Sequence, residues 1–243
     1  MNSSHEDIKK QIAELKLVPV AVINKVEDAL PLAKALMDAG LPLIEITFRT
    51  EAAKEAIRKI SEAYPDMLVG AGTVLTIQQV KDAVEVGCKF IVTPGFNPTI
   101  VDYCTENDIL IVPGLNAPTF IEWALERGIT LTKFYPAGAS GGVKFIKLMS
   151  GPYPMMKFMP TGGVNNETML EYLRLSNVSA TGGSWIVHKD LINAIHEKFP
   201  TAAKIDGSVI WAESRFRLPL INNMTIAINN LILFILEFSF ILI

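Results

Sequence analysis

The stretch LTKFYPA, residues 131–137, is typical of a short, buried β-strand that ends at a proline. One cationic residue, Lys133, lies in the middle of this apolar stretch. Lysine is almost never fully buried unless it is paired or has a chemical task, because removing an ammonium group from water is costly. An unprotonated lysine amine is a nucleophile that forms Schiff bases with carbonyl substrates. Lys133 is therefore either such a nucleophile or a lysine near the strand end whose ammonium group reaches solvent.

On both sides of this stretch, apolar runs alternate with segments of helical periodicity. Strands are predicted at residues 17–23, 41–47, 67–74, 90–94, 109–113, 131–136, 157–161 and 178–181. Helices are predicted at residues 26–39, 50–63, 77–86, 98–107, 118–127, 143–149, 166–175 and 187–198, with Thr76 as the N-cap of the third. Near-continuous apolar strands that alternate with helices indicate a parallel sheet buried on both faces.

Eight such units predict an α/β protein with a single-domain (β/α)8 TIM barrel. A doubly wound open sheet is the alternative, but no dinucleotide fingerprint follows the first strand. The barrel is expected to span residues 1–206. Residues 207–243 form an atypical apolar C-terminal tail, in which 231–243 contain one charged residue, Glu237. Three interpretations of this tail remain open: a helix that contacts a membrane, an extra packing helix, or the product of an altered reading frame.

Composition argues against several classes of protein. The formal net charge is −3, with both signs interleaved, so a nucleic-acid partner is not expected. The two cysteines, Cys88 and Cys104, lack metal-ligand spacing and are expected to be buried free thiols in a reducing cytoplasm. Residues 1–10 are polar and do not resemble a secretory signal. The histidines, His5, His188 and His196, lie away from the strand ends, so no metal site is predicted, although His188 could line the rim of the site.

In a barrel of this kind, the reacting groups lie at the carboxyl ends of the strands. The second strand ends in EITFRT, and alternation places Glu45, Thr47 and Arg49 on one side of it. If Ile46 and Phe48 face the helices, Glu45 points into the barrel near its mouth. A buried carboxylate needs a partner or a role, so Glu45 is either a reacting group or part of an ion pair with Arg49 or Lys133.

Glycine pairs follow the seventh and eighth strands. The third strand ends in GAGT, which offers the hydroxyl of Thr73 at the mouth. Thr161 precedes Gly162 and Gly163, and Gly183 precedes Ser184. Backbone N–H groups after these two strands are the usual phosphate site of a (β/α)8 barrel. A buried lysine, an inward carboxylate, a nearby arginine and a phosphate site together suit class I aldol chemistry on a phosphorylated keto acid.

Six motifs in order resemble the family of 2-keto-3-deoxy-6-phosphogluconate (KDPG) and 4-hydroxy-2-oxoglutarate (KHG) aldolases. They are IEITFRT (44–50), VGAGTV (69–74), VTPG (92–95), KFYPA (133–137), FMPTGGV (158–164) and GGSW (182–185). The resemblance covers residues 10–195 and implies a (β/α)8 barrel, a homotrimer, no metal and no cofactor. It departs from the family near the C-terminus, where the charged final helix gives way to the apolar tail.

The resemblance implies roles for individual residues. Lys133 would be the Schiff-base lysine and Glu45 the general acid/base, while Arg49 and Thr73 would hold the pyruvyl carboxylate with Thr161 beside them. The phosphate would be held by Gly162, Gly163, Gly183 and Ser184. The implied reaction is cleavage of 2-dehydro-3-deoxy-6-phosphogluconate to pyruvate and glyceraldehyde 3-phosphate. Cleavage of 4-hydroxy-2-oxoglutarate to pyruvate and glyoxylate, or of the galactonate-derived epimer of KDPG, also remains open.

Two other classes of function remain as alternatives. A phosphosugar isomerase or epimerase on the same barrel would use Glu45 as a base and would need no lysine adduct. A non-catalytic assembly protein tethered through its tail would depend on residues 207–243 instead. Fold alone does not choose among them, because barrels host many chemistries.

Overall fold

A computed structural model describes residues 4–187 of the chain as an α/β fold with parallel strand pairing. Its strands are β1 Leu17–Ala21, β2 Leu43–Thr47, β3 Leu68–Gly72, β4 Phe90–Val92, β5 Ile111–Val112, β6 Gly114–Leu115, β7 Leu131–Phe134, β8 Lys157–Pro160 and β9 Thr181–Gly183. Its α-helices are α1 His5–Leu15, α2 Ala29–Asp38, α3 Ala53–Ala63, α4 Ile77–Glu85, α5 Pro98–Glu106, α6 Pro118–Glu126, α7 Gly142–Met149 and α8 Met169–Leu173. Short 3-10 helices span Val26–Asp28 and Ser184–Val187.

The strands form two parallel sheets, which the chain connects at Pro113 and which isolated bridges connect beside β8. The larger sheet has the order β5-β4-β3-β2-β1-β9, and the smaller has the order β6-β7-β8. Only Pro113 separates β5 from β6, so the fifth strand predicted from sequence is interrupted and continues further along the chain than expected. Two isolated parallel bridges, Phe158–Val178 and Thr161–Gly182, join β8 to the segment that contains β9. The parallel sheet is therefore curled, with β8 and β9 side by side.

Apolar side chains form two separate clusters on the two faces of this curled sheet. The larger cluster packs the helices against the outer face and includes Ile46 and Phe134. The smaller cluster contains residues from seven of the nine strands (β1 to β5, β7 and β8), the residues just before β5 and β9, and two residues from α1. Its members are Ile8, Ile12, Val18, Leu43, Leu68, Phe90, Val92, Leu110, Val112, Leu131, Met159 and Ala180. Alternation along each strand separates the two sets, because successive side chains point to opposite faces.

Helix α1 was not predicted from the polar N-terminal sequence. Ser4 caps it by accepting a hydrogen bond from the Asp7 backbone N–H, and the Asp7 carboxylate accepts one from the Ser4 backbone N–H. Ile8 and Ile12 lie one turn apart on the buried side of the helix. The capping box and this i, i+4 spacing are the sequence signals that identify such a helix.

The alternation of strands and helices is confirmed from β1 to α8, and Thr76 is the N-cap of α4 as predicted. The last strand is wrong by several residues: it was expected at 178–181, but Val178 forms only an isolated bridge and the strand spans Thr181–Gly183. Most of the predicted helix at 187–198, His188, His196 and the tail at 207–243 lie outside the described residues. Within residues 4–187, no helix is long and apolar enough to cross a membrane.

Candidate active site

Lys133 and Glu45 form a buried pair between β7 and β2. The Lys133 Nζ donates a hydrogen bond of 3.4 Å to the Glu45 Oε1. The lysine side chain is 6% exposed and the glutamate side chain is 0% exposed. The other carboxylate oxygen of Glu45, Oε2, is also buried and has no hydrogen-bond partner within the described part of the chain. The prediction that Glu45 points into the interior is confirmed, and its partner is Lys133 rather than Arg49.

An aromatic ring that was not predicted as part of the site lies next to the Lys133 amine. The Lys133 Nζ lies 5.4 Å from the centre of the Tyr135 ring, a distance at which the π-face attracts a cation. The same ring packs on Gly162, where a Cβ would come within 2.9 Å of it. Tyr135 is 39% exposed, so it lies between the buried lysine, the first glycine pair and solvent.

Arg49 and Thr47 form a second group at the end of β2. The Arg49 Nε donates to the Thr47 Oγ1 at 3.3 Å, and the Thr47 hydroxyl donates to the Ala21 carbonyl oxygen on β1 at 3.1 Å. Thr47 is buried, whereas Arg49 is exposed. This chain of hydrogen bonds holds the guanidinium by its Nε at the exposed end of β2, where a guanidinium can bind an anion bidentately.

Thr73 follows β3 in the left-handed region of backbone space, with φ at 56°. A β-branched residue rarely adopts this conformation, which costs about 1–3 kcal/mol and is retained mainly at functional sites. The neighbouring residue on its N-terminal side, Gly72, lies against the Glu45 carboxylate. The strained turn therefore begins directly after the glycine that contacts the Glu45 carboxylate.

The two glycine pairs lie side by side. Gly162 and Gly163 have φ angles of 83° and 81°, which favour glycine. The bridge between Thr161 and Gly182 joins the two loops, and a Cβ on Gly182 would come within 2.7 Å of the Thr161 Oγ1. Thr161 is buried and Ser184 is exposed. The expected clustering of the two pairs is thus present; Gly163 and Ser184 are exposed, whereas Gly182 and Gly183 are buried. Backbone at adjacent strand ends is the usual phosphate site of this architecture.

The tryptophan that follows Ser184 supports the second pair. A Cβ on Gly183 would lie 2.5 Å from the Trp185 ring, so the indole packs directly on this glycine. The Trp185 Nε1 is buried and has no hydrogen-bond partner in residues 4–187. Trp185 belongs to the GGSW motif but was not predicted as a site residue, because nothing local in the sequence indicates that its indole folds back on Gly183.

The arrangement offers a nucleophile, an adjacent proton acceptor and anion-binding groups at one edge of the sheet. Among residues 4–187, no three histidine, cysteine, aspartate or glutamate side chains are grouped as metal ligands would be. Both cysteines are free thiols; Cys104 is buried as predicted, whereas Cys88 is only half-buried. Desolvation raises the pKa of each thiol to about 12. The chemistry available in the described residues is therefore that of an amine and a carboxylate.

Comparison with known proteins places this chain among aldolases. The family model described as KDPG and KHG aldolase matches residues 8–199. The chain is 48% identical over 194 residues to a 2-dehydro-3-deoxy-phosphogluconate aldolase of Haemophilus influenzae. The aligned region covers 80% of this chain and 92% of that protein.

Two solved structures are similar in both fold and sequence. One is KDPG aldolase from Legionella pneumophila with pyruvate captured as a covalent carbinolamine; its TM-score is 0.76 at 38% identity, covering 80% of this chain and 93% of that chain. The other is the aldolase of Zymomonas mobilis with 3-phosphoglycerate, with a TM-score of 0.73 at 32% identity, covering 80% of this chain and 95% of that chain.

Proposed function

Because the chain belongs to the KDPG and KHG aldolase family, we propose that it is a class I aldolase that cleaves 2-dehydro-3-deoxy-6-phosphogluconate into pyruvate and glyceraldehyde 3-phosphate. The observation that carries this proposal is the buried contact between the Lys133 Nζ and the Glu45 Oε1. A nucleophilic amine beside a proton acceptor is what a Schiff-base aldolase requires. Since the family also includes KHG aldolases, cleavage of 4-hydroxy-2-oxoglutarate to pyruvate and glyoxylate is a second proposed activity.

The first part of the proposed mechanism forms a covalent imine. The unprotonated amine of Lys133 attacks the C2 ketone to give a carbinolamine, which loses water and becomes an iminium. This group accepts the electrons of the bond that breaks next. The carbinolamine captured in the Legionella protein supports this step, and no cofactor is needed because the imine is the electron sink.

The second part breaks the carbon–carbon bond. Glu45, directly or through one water, removes the proton of the C4 hydroxyl. The C4 carbonyl forms, the C3–C4 electrons move into the iminium, and glyceraldehyde 3-phosphate leaves an enamine on Lys133. Protonation at C3 and hydrolysis of the imine release pyruvate and free Lys133. Proton transfer by a positioned group typically contributes a factor of about 10²–10⁴.

Substrate binding is assigned to the rim. Arg49 and Thr73 hold the pyruvyl carboxylate, with Thr161 beside them, since the guanidinium of Arg49 matches a carboxylate in a bidentate geometry. Gly162, Gly163, Gly183 and Ser184 hold the phosphate through backbone N–H groups and a hydroxyl. The 3-phosphoglycerate in the Zymomonas protein supports a phosphorylated ligand for this family.

Trapping with borohydride tests the proposal. Protein incubated with pyruvate and then reduced is expected to carry a pyruvyl adduct on the peptide that contains Lys133. Lys133→Met should abolish both the adduct and the cleavage of KDPG. Lys157→Met is the matched control, because Lys157 lies on the neighbouring strand β8 but is exposed and bonds to the Ser176 carbonyl oxygen. A folded wild-type protein that forms no adduct would contradict the aldolase and favour an isomerase that uses Glu45 alone.

We also propose that the curled sheet is a complete (β/α)8 barrel closed between β8 and β9, with residues 1–206 as the barrel and 207–243 as an appended tail. The inner apolar cluster and the bridges at Val178 and Gly182 support closure. The family match, which ends at residue 199, supports the boundary.

The family resemblance supports a proposal on assembly, and the free cysteines support one on the compartment. We propose that the chain forms a homotrimer. We also propose that it works in the cytoplasm, because a reducing compartment keeps free cysteines such as Cys88 and Cys104 unpaired. Light scattering on the eluting protein tests the trimer, because a mass corresponding to one or two chains would exclude it.

A further inference from the structure

A single glycine, Gly72, occupies the space next to the Glu45 carboxylate. Strands β2 and β3 are parallel neighbours in which Glu45 lies opposite Gly70 and Thr47 lies opposite Gly72. The glutamate side chain extends toward the carboxyl end of β3, where its carboxylate reaches Gly72. A Cβ on Gly72 would lie 2.1 Å from the Glu45 Oε1 and 2.7 Å from its Cδ and Cγ.

The Glu45 carboxylate lies between Gly72 and the Lys133 amine. Glu45 is fully buried, with 0% exposure, and its Oε1 accepts a hydrogen bond from the Lys133 Nζ. Any side chain on Gly72 would therefore push the carboxylate away from the position that the Lys133 contact requires. A displacement of about 1 Å of a reacting group can lower a rate about 10²-fold.

We propose that Gly72 is a positioning residue: because it has no side chain, it leaves the space that the Glu45 carboxylate occupies during proton transfer. The inference rests on the proposed role of Glu45 as the acid/base group. The proton concerned moves between C3 of the pyruvyl imine and the carboxylate: the C3–H electrons become the C2–C3 double bond, and the C2–N π electrons return to the nitrogen. Lys133 lies on β7, so a substitution on β3 is expected to act on it only through Glu45.

The test compares Gly72→Ala with Gly70→Ala. Both glycines lie on β3 and both leave room for a buried side chain, since a Cβ on Gly70 would lie 2.3 Å from the Phe90 ring. Gly72→Ala is expected to retain the borohydride-trapped pyruvate adduct, to lose about 10²-fold in kcat with little change in KM, and to slow exchange of the pyruvate C3 protons with deuterated solvent. Gly70→Ala is expected to lower stability while leaving the exchange of the C3 protons of unreduced pyruvate fast.

A compensating variant separates positioning from folding. Aspartate is one methylene shorter, so Glu45→Asp withdraws the carboxylate from the added methyl group of Gly72→Ala. The double variant Glu45→Asp/Gly72→Ala is expected to be more active than the product of the two single effects predicts. If Gly72→Ala fails to fold, the double variant is expected to fold. Additive effects, or a double variant that is as unfolded as the single one, would overturn the inference.

Glu45→Gln distinguishes this inference from the proposed function. If Glu45→Gln exchanges C3 protons at the wild-type rate, the assignment of Glu45 as acid/base group is wrong and the inference fails with it. If Glu45→Gln stops exchange while Gly72→Ala exchanges normally, the proposed function stands and only the role of Gly72 is wrong.

Discussion

At the scale of single residues, the pair of Lys133 and Glu45 is costly to the folded protein. Both side chains are buried, and one carboxylate oxygen lacks a hydrogen-bond partner in the described residues. Removing two charges from water commonly costs more than their attraction returns, so buried pairs are weak contributors to stability. A pair that is retained in this position is therefore explained better by its proposed chemistry than by stabilisation of the fold.

This imbalance gives a prediction on stability. Lys133→Met leaves the Glu45 carboxylate buried without its partner, so the free energy of unfolding should fall by about 3 kcal/mol. Glu45→Met/Lys133→Met removes both charges at similar volume and should recover most of that loss or exceed it. Denaturant unfolding of the three proteins measures the effect. A double variant no more stable than Lys133→Met would show that packing, rather than charge, limits this site.

The thiols give a prediction on pH. Burial raises the pKa of Cys88 and of Cys104 to about 12, so roughly one thiol in ten thousand is ionised at pH 8. Iodoacetamide should label neither residue in the folded protein at pH 8 and both in denaturant. Peptide mapping after labelling reads the outcome. Rapid labelling of either thiol in the native protein would show that its surroundings open to solvent.

At the scale of elements, local signals fix where helices begin. The Thr76 Oγ1 accepts a hydrogen bond from the Gln79 backbone N–H at 3.1 Å at the start of α4. In turn, the Gln79 Oε1 accepts a hydrogen bond from the Leu75 backbone N–H at 2.7 Å. These bonds satisfy N–H groups that have no partner inside the helix. The cap lies three residues after Thr73, at the end of the connection from β3 to α4.

Thr76→Ala is therefore expected to lower the free energy of unfolding by about 1 kcal/mol, because the Gln79 N–H loses its acceptor. Thr76→Ser keeps an oxygen in the same place and should cost only a few tenths of a kcal/mol. Thermal unfolding of both variants makes the comparison. Equal losses in both would mean that the methyl group of Thr76, rather than the cap, matters.

At the scale of the whole molecule, one edge of the curled sheet gathers residues that are far apart in sequence. Lys133 and Glu45 are separated by 88 residues and meet because β7 and β2 face each other across the interior. The proposed site extends from Glu45 to Ser184 and includes nothing from residues 207–243. The activity of the proposed barrel should therefore be independent of the tail.

A chain that ends at residue 206 tests this independence. Its kcat for KDPG cleavage is expected to remain within about twofold of the full chain, since changes remote from a site usually have small effects. Flotation of both chains with vesicles of neutral and anionic lipid separates the interpretations of the tail. Flotation of the full chain alone would support membrane contact, whereas loss of cleavage on truncation would show that the tail completes the fold.

Much of this protein follows from sequence because the signals are local. The alternation of apolar runs with helical periodicity predicted eight units, because both patterns repeat over a few neighbouring residues. Alternation along β2 placed Glu45 inward without any knowledge of its partner. The motif residues were found at the strand ends, where parallel strands direct them to one edge.

The tertiary structure decided which of these groups meet. Sequence left Glu45 with a choice between Arg49 and Lys133; the structure pairs it with Lys133 because the facing strand brings the amine across the interior, while Arg49 is tied to Thr47. It also placed α1 against the inner cluster, interrupted the fifth strand at Pro113, and showed that Gly72 makes room for the carboxylate. Propensity and periodicity act over a few neighbours along the chain, whereas these contacts depend on register and packing between segments far apart in sequence.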